Sequence, residues 1–140
     1  MFKKMLYFVV ILAVSANFLN AQVVGKLFDA DYANKNFGEV KNFVEITNSN
    51  LKDLLEKAGD YIMFNINNGT LRALNGKRES ILGSATSNSE VFYKMSTSQV
   101  YKLIEKGGKT TTRIEMRPKT LTVTNGSYTL ELTMPCPPKC

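Results

Sequence analysis

Two cysteines, Cys136 and Cys140, are the residues of this 140-residue chain whose spacing most directly suggests a chemistry. They flank Pro-Pro-Lys, and in an oxidising compartment such a pair normally forms a disulfide. The bridge would close a small loop stiffened by Pro137 and Pro138, so it would fasten the tail and add little to the stability of the domain. The two sulfurs could instead cross-link two copies or a partner, stay free, carry redox equivalents or hold a soft metal such as monovalent copper.

The chain contains no histidine, and this absence excludes several catalytic classes. Ser-His-Asp and Cys-His nucleophiles need an imidazole, as does every zinc site with a histidine ligand. The usual general base near neutral pH is missing as well. A hydrolase built on two carboxylates stays open, although no spacing nominates a pair. We therefore expect no cofactor, and a non-catalytic role rather than an enzymatic one.

Six cations close together in the second half of the chain predict a basic surface, in a protein whose formal net charge is +6. Nucleic-acid sites interleave such cations with stacking aromatics, but here only Tyr101 is close, and Glu105 and Glu115 interrupt the run. We therefore predict no nucleic-acid partner, and expect a solvated face or weak attraction to an acidic glycan or membrane surface. The six residues are Lys102, Lys106, Lys109, Arg113, Arg117 and Lys119.

Residues 1–21 have the order of a secretory signal peptide. Lys3 and Lys4 form a positive start, residues 6–16 form an apolar core, and a more polar stretch follows and ends in Ala21. The apolar core is shorter than the roughly 20 residues that span a bilayer. We expect cleavage near Ala21, a secreted or periplasmic location, and no membrane span in the mature chain.

The remaining sequence predicts two units with the same order of elements: a strand, a helix and three strands. The first unit covers residues 40–82 and the second covers residues 90–134, with a small polar loop over 83–89 between them. The predicted strands are 40–46, 61–66, 70–74 and 78–82 in the first unit, and 90–95, 110–116, 120–124 and 128–134 in the second.

Local signals mark where the helices start and where the hairpins turn. Thr47 or Asn48 is predicted to cap the first helix, and Ser96 with Gln99 forms a capping box for the second. Asn-Gly dipeptides at 68, 75 and 125 predict tight turns. The dipeptides at 68 and 125 also begin glycosylation sequons, but turn geometry alone accounts for their asparagines.

The two units are similar in sequence as well as in order. Eleven of forty aligned positions are identical, where ordinary composition would give about two or three. The identities include Phe43 with Phe92 and Leu54 with Leu103. The repeated positions are helix faces, helix ends and turns, so they predict a shared scaffold and no shared chemistry.

Two βαβββ units in one domain resemble a single domain of the DNA sliding clamps, where two such units are related by a pseudo-twofold axis. The resemblance covers the order of elements over residues 40–134 and no diagnostic motif. It implies a single α+β domain with two helices packed on largely antiparallel sheet. Clamp function is not implied, since it needs several domains closed into a ring. Residues 22–39 are then an N-terminal arm, and residues 135–140 form a tail that contains cysteine and proline.

These features favour a small exported protein that acts as a non-catalytic binding or interaction module. The predicted partner is an unknown protein or a glycan, and a homodimer is compatible with the same module. Two alternatives stay open: a metal-binding or redox protein that acts through the thiols of Cys136 and Cys140, and a carboxylate-based hydrolase.

Overall fold

The computed structural model describes residues 22–83 and 87–140, which form an α+β fold with three helices and two antiparallel sheets. The expected signal peptide lies outside the described residues, as does part of the predicted loop over 83–89. The helices are α1 (Ala30–Asn36), α2 (Asn48–Ala58) and α3 (Thr97–Gly107). The strands are β1 (Lys26–Asp29), β2 (Asn42–Thr47), β3 (Tyr61–Asn67), β4 (Thr70–Asn75), β5 (Ser80–Leu82), β6 (Phe92–Ser96), β7 (Thr111–Met116), β8 (Leu121–Asn125), β9 (Tyr128–Glu131) and β10 (Met134–Cys136).

Each sheet combines strands from both halves of the chain. Sheet I has the order β1-β9-β8-β7-β2, and sheet II has the order β10-β6-β3-β4-β5. The three strands that follow α3 form the centre of sheet I and are joined by β2, while the three strands that follow α2 form most of sheet II and are joined by β6. One accessory strand is added to each sheet, β1 beside β9 and β10 beside β6.

The main core is built from the apolar faces of α2 and α3 and from the inner faces of both sheets. The leucines that predicted the helix faces are buried there, including the equivalent pair Leu54 and Leu103. Each buried leucine contributes roughly 1.5–3 kcal/mol relative to an exposed one. Sheet II adds Phe64 and sheet I adds Ile114, and both side chains are inaccessible to solvent. This single shared core holds the two sheets together.

The two predicted helix caps have different outcomes. Thr47 caps α2 as expected, because its hydroxyl accepts a backbone N–H from the first turn at 3.3 Å. The capping box at α3 is wrong, since Ser96 and Gln99 are used elsewhere. The Ser96 hydroxyl accepts the backbone N–H of Val24 at 2.8 Å. The Gln99 amide donates to the backbone carbonyl of Gly25 at 2.8 Å. Both side chains therefore fasten the N-terminal arm to the start of α3.

The N-terminal arm contains two regular elements. It forms β1 and the seven-residue helix α1, which lie at one side of sheet I. A helix this short is unstable alone and depends on packing. Ala33 is buried on its sheet-facing side, and Phe28 stacks on Tyr32 with ring centroids 5.2 Å apart. Phe37 completes this aromatic cluster with edge contacts to both rings.

The last predicted strand, residues 128–134, is divided between the two sheets. β9 ends at Glu131, and Leu132 has a φ of 60°, a backbone conformation that a leucine adopts only where the surrounding structure imposes it. Met134 then begins β10, which pairs with β6 in sheet II. The chain therefore leaves sheet I at Leu132, and the tail predicted over 135–140 begins as a strand.

Of the three Asn-Gly dipeptides, only Asn68-Gly69 forms the centre of its turn as predicted. Asn125 ends β8 and pairs with Tyr128, so the two residues of that turn are Gly126 and Ser127. Asn68 and Gly69 both have positive φ, as a two-residue type I′ hairpin turn requires. The turn at Asn75 is longer than the two residues predicted, because Asn75 pairs its backbone with Glu79. Its third residue, Arg78, has a φ of 63°. This extra residue brings the Arg78 side chain into the candidate site described below.

Candidate functional site

Cys136 and Cys140 form a disulfide, with their Cα atoms 4.7 Å apart, so the expected pairing is present. Strand β10 places Cys136 on the outer face of sheet II, where it is fully buried against Met63, Leu74 and Phe92. Cys140 is exposed. The Cys-Pro-Pro-Lys-Cys segment is therefore folded onto the sheet and does not hang free.

Arg78 is the side chain that connects this disulfide to the rest of the domain. Its Nη1 atom donates to the carbonyl oxygen of Cys136 at 2.8 Å and to the Cys136 sulfur at 3.2 Å. Its Nη2 atom donates to the carbonyl oxygen of Glu90 at 3.0 Å, and the guanidinium lies 5.7 Å from the centre of the Phe92 ring. No sequence pattern predicts this contact, because 58 residues separate the partners. A cation at a sulfur stabilises the thiolate form of that sulfur.

The six cations predicted as one basic surface lie in different places. Lys102 and Lys106 lie on α3, and Lys109 follows its end. Arg113 lies in β7 of sheet I, and Arg117 is the first residue after that strand. Both side chains are on the outer face of the sheet, away from the core. Arg117 is only 3% exposed, so its inclusion in a basic surface is wrong. The exposed cations among the six are Lys102, Lys106, Lys109 and Lys119, and Arg113 is half-buried.

The buried Arg117 belongs to a polar cluster on the outer face of sheet I. Its Nη2 atom pairs with Glu115 at 3.1 Å, and its Nε atom donates to the hydroxyl of Thr122 at 3.0 Å. Its Nη1 atom donates to the Asn34 side chain at 3.1 Å and to the carbonyl of Gly38 at 2.5 Å. Glu115 also accepts the hydroxyls of two threonines of β8. This cluster fastens α1 and the loop after it to the sheet.

An open cleft of about 570 Å³ adjoins this cluster, between α1, the loop before β2 and the outer face of sheet I. This volume lies within the range of small-ligand sites. The floor includes the side chain of Arg113, which is 42% exposed, and its guanidinium stacks 3.7 Å from the centre of the Phe43 ring. The other polar lining residues include Asn34, Glu39, Glu115, Thr124 and Thr129.

Strand β2 forms an edge of sheet I, and in the described part of the chain it pairs with β7 alone. It is six residues long, contains no proline or lysine, and exposes Phe43 to 49%. Natural sheet edges are normally protected by proline, by charged side chains and lysine in particular, by bulges or by a covering segment. The one charged side chain of β2, Glu45, is bonded to the hydroxyl of Thr111 on the neighbouring strand. The first strand of the other unit, β6, has neighbours on both sides, and its Phe92 is fully buried. The β2 edge is therefore open where the β6 edge is covered.

The two glycosylation sequons lie in different environments. Asn68 is exposed at the tip of the β3–β4 hairpin. Asn125 is only 1% exposed, and its amide donates to the Thr112 hydroxyl at 2.9 Å while its oxygen accepts the backbone N–H of Lys109 at 3.0 Å. A glycan cannot be attached to Asn125 in the folded domain, so turn and core structure explain this residue.

The fold and these sites define a class: an α+β domain with a regular six-residue edge strand, β2, and a tail fastened by a disulfide. Over residues 22–83 and 87–140, no helix is long and apolar enough to cross a membrane, and no group of three or more histidine, cysteine, aspartate or glutamate side chains could hold a metal ion. Comparison with protein-family models, with curated proteins and with solved structures found no match.

Proposed function

We propose that this protein is an exported, non-catalytic interaction module that binds an extended segment of a protein partner at the β2 edge of sheet I. The open β2 edge with its exposed Phe43 is the observation that carries this proposal. In strand addition, main-chain hydrogen bonds supply affinity and alternate side chains supply specificity. Export follows from the signal-peptide pattern of residues 1–21, and the disulfide is compatible with it.

The proposal includes a relation between the two βαβββ units as repeats with the clamp-domain topology. Its support is that each unit gives its first strand to the sheet of the other, and that each first strand carries a phenylalanine on the outer face with a guanidinium over the ring. Phe92 lies under Arg78 and Phe43 lies under Arg113. By this relation, β10 occupies the position at β6 that the partner strand would occupy at β2.

The side chains around β2 indicate which kind of partner segment would fit at this edge. Phe43 and Glu45 lie on the outer face of the strand, because their cross-strand neighbours are the outward-facing residues of β7. The Glu45 carboxylate is already bonded to the hydroxyl of Thr111 at 2.5 Å. An apolar side chain beside Phe43 would cover a ring that is now half exposed, as Cys136 and its neighbours cover Phe92. We therefore expect an extended partner segment with an aliphatic or aromatic residue at that position.

A site-specific photo-cross-linker tests this assignment in the producing cell. A benzophenone amino acid is placed at Phe43 or, as the matched control, at Leu82, which is 36% exposed on β5 at the open edge of sheet II. We expect a defined adduct from position 43 and none from position 82. The partner segment is then synthesised, and its affinity is measured for the parent chain, for Phe43→Lys and for Leu82→Lys. Only Phe43→Lys should weaken binding, by about tenfold or more.

The outcomes separate the interpretations. Equal adducts from both positions, or binding unaffected by Phe43→Lys, would refute the β2 assignment. A cross-link to a second copy, with a dimer in sedimentation that Phe43→Lys dissociates, would identify a second copy of this chain as the partner. The carboxylate-based hydrolase stays a prediction. The two buried carboxylates, Glu115 and Glu131, each accept a hydrogen bond from a threonine hydroxyl.

A further inference from the structure

We infer that the Cys136–Cys140 bridge is a site of thiol–disulfide exchange, in which an external dithiol attacks Cys140 and Cys136 leaves as a thiolate facing Arg78. This inference concerns the outer face of sheet II and does not depend on the proposed partner site at β2. It rests on two observations: Cys140 is exposed whereas Cys136 is buried, and the Cys136 sulfur accepts a hydrogen bond from the guanidinium of Arg78.

The difference in exposure decides which sulfur is attacked. Exchange requires the incoming thiolate to reach one sulfur of the disulfide. Cys136, the last residue of β10, is 0% exposed and packs among Met63, Leu74 and Phe92. Cys140 is exposed, and its carbonyl oxygen is held by the Lys94 ammonium at 2.7 Å. An external thiol therefore has access to Cys140 and is excluded from Cys136.

The guanidinium of Arg78 makes the sulfur of Cys136 a good leaving group. A thiol leaves faster when its thiolate is more stable, and charge-assisted hydrogen bonds are about twice as strong as neutral ones. Arg78 Nη1 is 3.2 Å from the Cys136 sulfur before any reaction. Its position is fixed by the carbonyl of Glu90 and by Phe92. The second guanidinium over Phe92, that of Arg72, is already paired with the Glu90 carboxylate.

The exchange is balanced as follows. One thiolate of the dithiol forms a bond to the sulfur of Cys140, the Cys136–Cys140 bond breaks, and the electron pair stays on Cys136 as a thiolate. The second thiol of the reagent loses its proton and attacks the first reagent sulfur, which releases Cys140 as a thiolate. The dithiol is oxidised by two electrons to a disulfide, the two cysteines are reduced, and the two protons of the dithiol restore both thiols.

Adduct mapping on the unaltered chain tests the direction of attack without any variant. The purified protein is mixed with excess reduced glutathione, quenched with acid at the earliest times and digested after the free thiols are alkylated. We expect the mixed disulfide on Cys140 and the alkyl group on Cys136 in the mass spectrum. Glutathione found mainly on Cys136, or no adduct under conditions that reduce exposed model disulfides, would overturn the inference.

Reduction kinetics with dithiothreitol test the role of Arg78. We expect Arg78→Met to be reduced about tenfold more slowly than the parent chain, with partial recovery in Arg78→Lys. Arg72→Met is the matched control, because it removes a guanidinium over the same ring without touching the sulfur. Its rate should stay within about twofold of the parent rate. Reduction of Arg78→Met at the parent rate, or faster, would overturn the inference.

Discussion

Replacement of Arg117 by methionine should be the most destabilising single change on the outer face of sheet I. Arg117 is 3% exposed, and its guanidinium is shared by Glu115, Thr122, Asn34 and Gly38. Methionine removes these bonds and leaves the Glu115 carboxylate buried without its main cation. Breaking a buried pair in this way costs about 3–5 kcal/mol, out of the roughly 5–15 kcal/mol that stabilises a domain of this size.

Urea unfolding measures this cost, and two further variants show its origin. Arg113→Met removes a guanidinium that is 42% exposed and 3.5 Å from the same carboxylate, so it should cost at most about 1 kcal/mol. In the Glu115→Gln/Arg117→Met double variant the unpaired charge is gone, and we expect it to be about 1–3 kcal/mol more stable than Arg117→Met alone. The thermal unfolding midpoint, Tm, of Arg117→Met should be roughly 10–20 °C lower than that of the parent chain.

Hydrogen exchange adds a local measurement to these free energies. Because Arg117 bonds to Asn34 and Gly38, its loss should speed exchange in α1 before the core strands are affected. An equal, small loss of stability in Arg117→Met and Arg113→Met would show that the buried ion pair is not a main source of stability. A double variant no more stable than Arg117→Met would show that the unpaired buried charge is not the cause of the loss.

Two further matched pairs test the packing of α3 and of the N-terminal arm. A Cβ added at Gly107 would overlap Asn125, whereas one at Gly108 meets nothing within 4 Å and is strained only by a φ of 70°. Gly107→Ala should therefore cost about 3 kcal/mol in urea unfolding and Gly108→Ala about 1 kcal/mol, and equal costs would contradict this packing. Ser96→Ala should speed hydrogen exchange in residues 22–25, while Thr47→Ala should speed it in the first turn of α2. Faster exchange at the start of α3 in Ser96→Ala would restore the capping interpretation.

The sequence predicted the elements whose residues serve one local purpose. The Thr47 cap of α2 and the turn at Asn68 act within a few residues, so their patterns can be read directly. Helix α1 could not be predicted in this way, because seven residues with one buried alanine have no usable period. It forms because the outer face of sheet I, and Arg117 in particular, provides its partner.

The candidate sites were less predictable because their residues are distant in sequence. The spacing of Cys136 and Cys140 indicated the disulfide, but nothing near them indicated Arg78. The capping box at Ser96 matched its pattern and was still wrong, because the arm competes for the same hydroxyl. Arg117 lies close in the chain to exposed cations, and the prediction therefore counted it among them. Its side chain points to the outer face of sheet I, where α1 and the following loop cover it.

The open edges of the two sheets differ in a way that favours β2 as the docking strand. Within the described residues, sheet I ends in β1 and β2, and sheet II ends in β10 and β5. β1 has four residues and contains Lys26, and β10 has three residues and contains Pro135. β5 is only three residues long, and its pairing with β4 shifts register between Ala73 and Leu74. Short and irregular edges resist strand addition, whereas a regular six-residue edge accepts it. A partner that adds a strand should therefore choose β2, and a cross-link from Phe43 with none from Leu82 is the result that this difference requires.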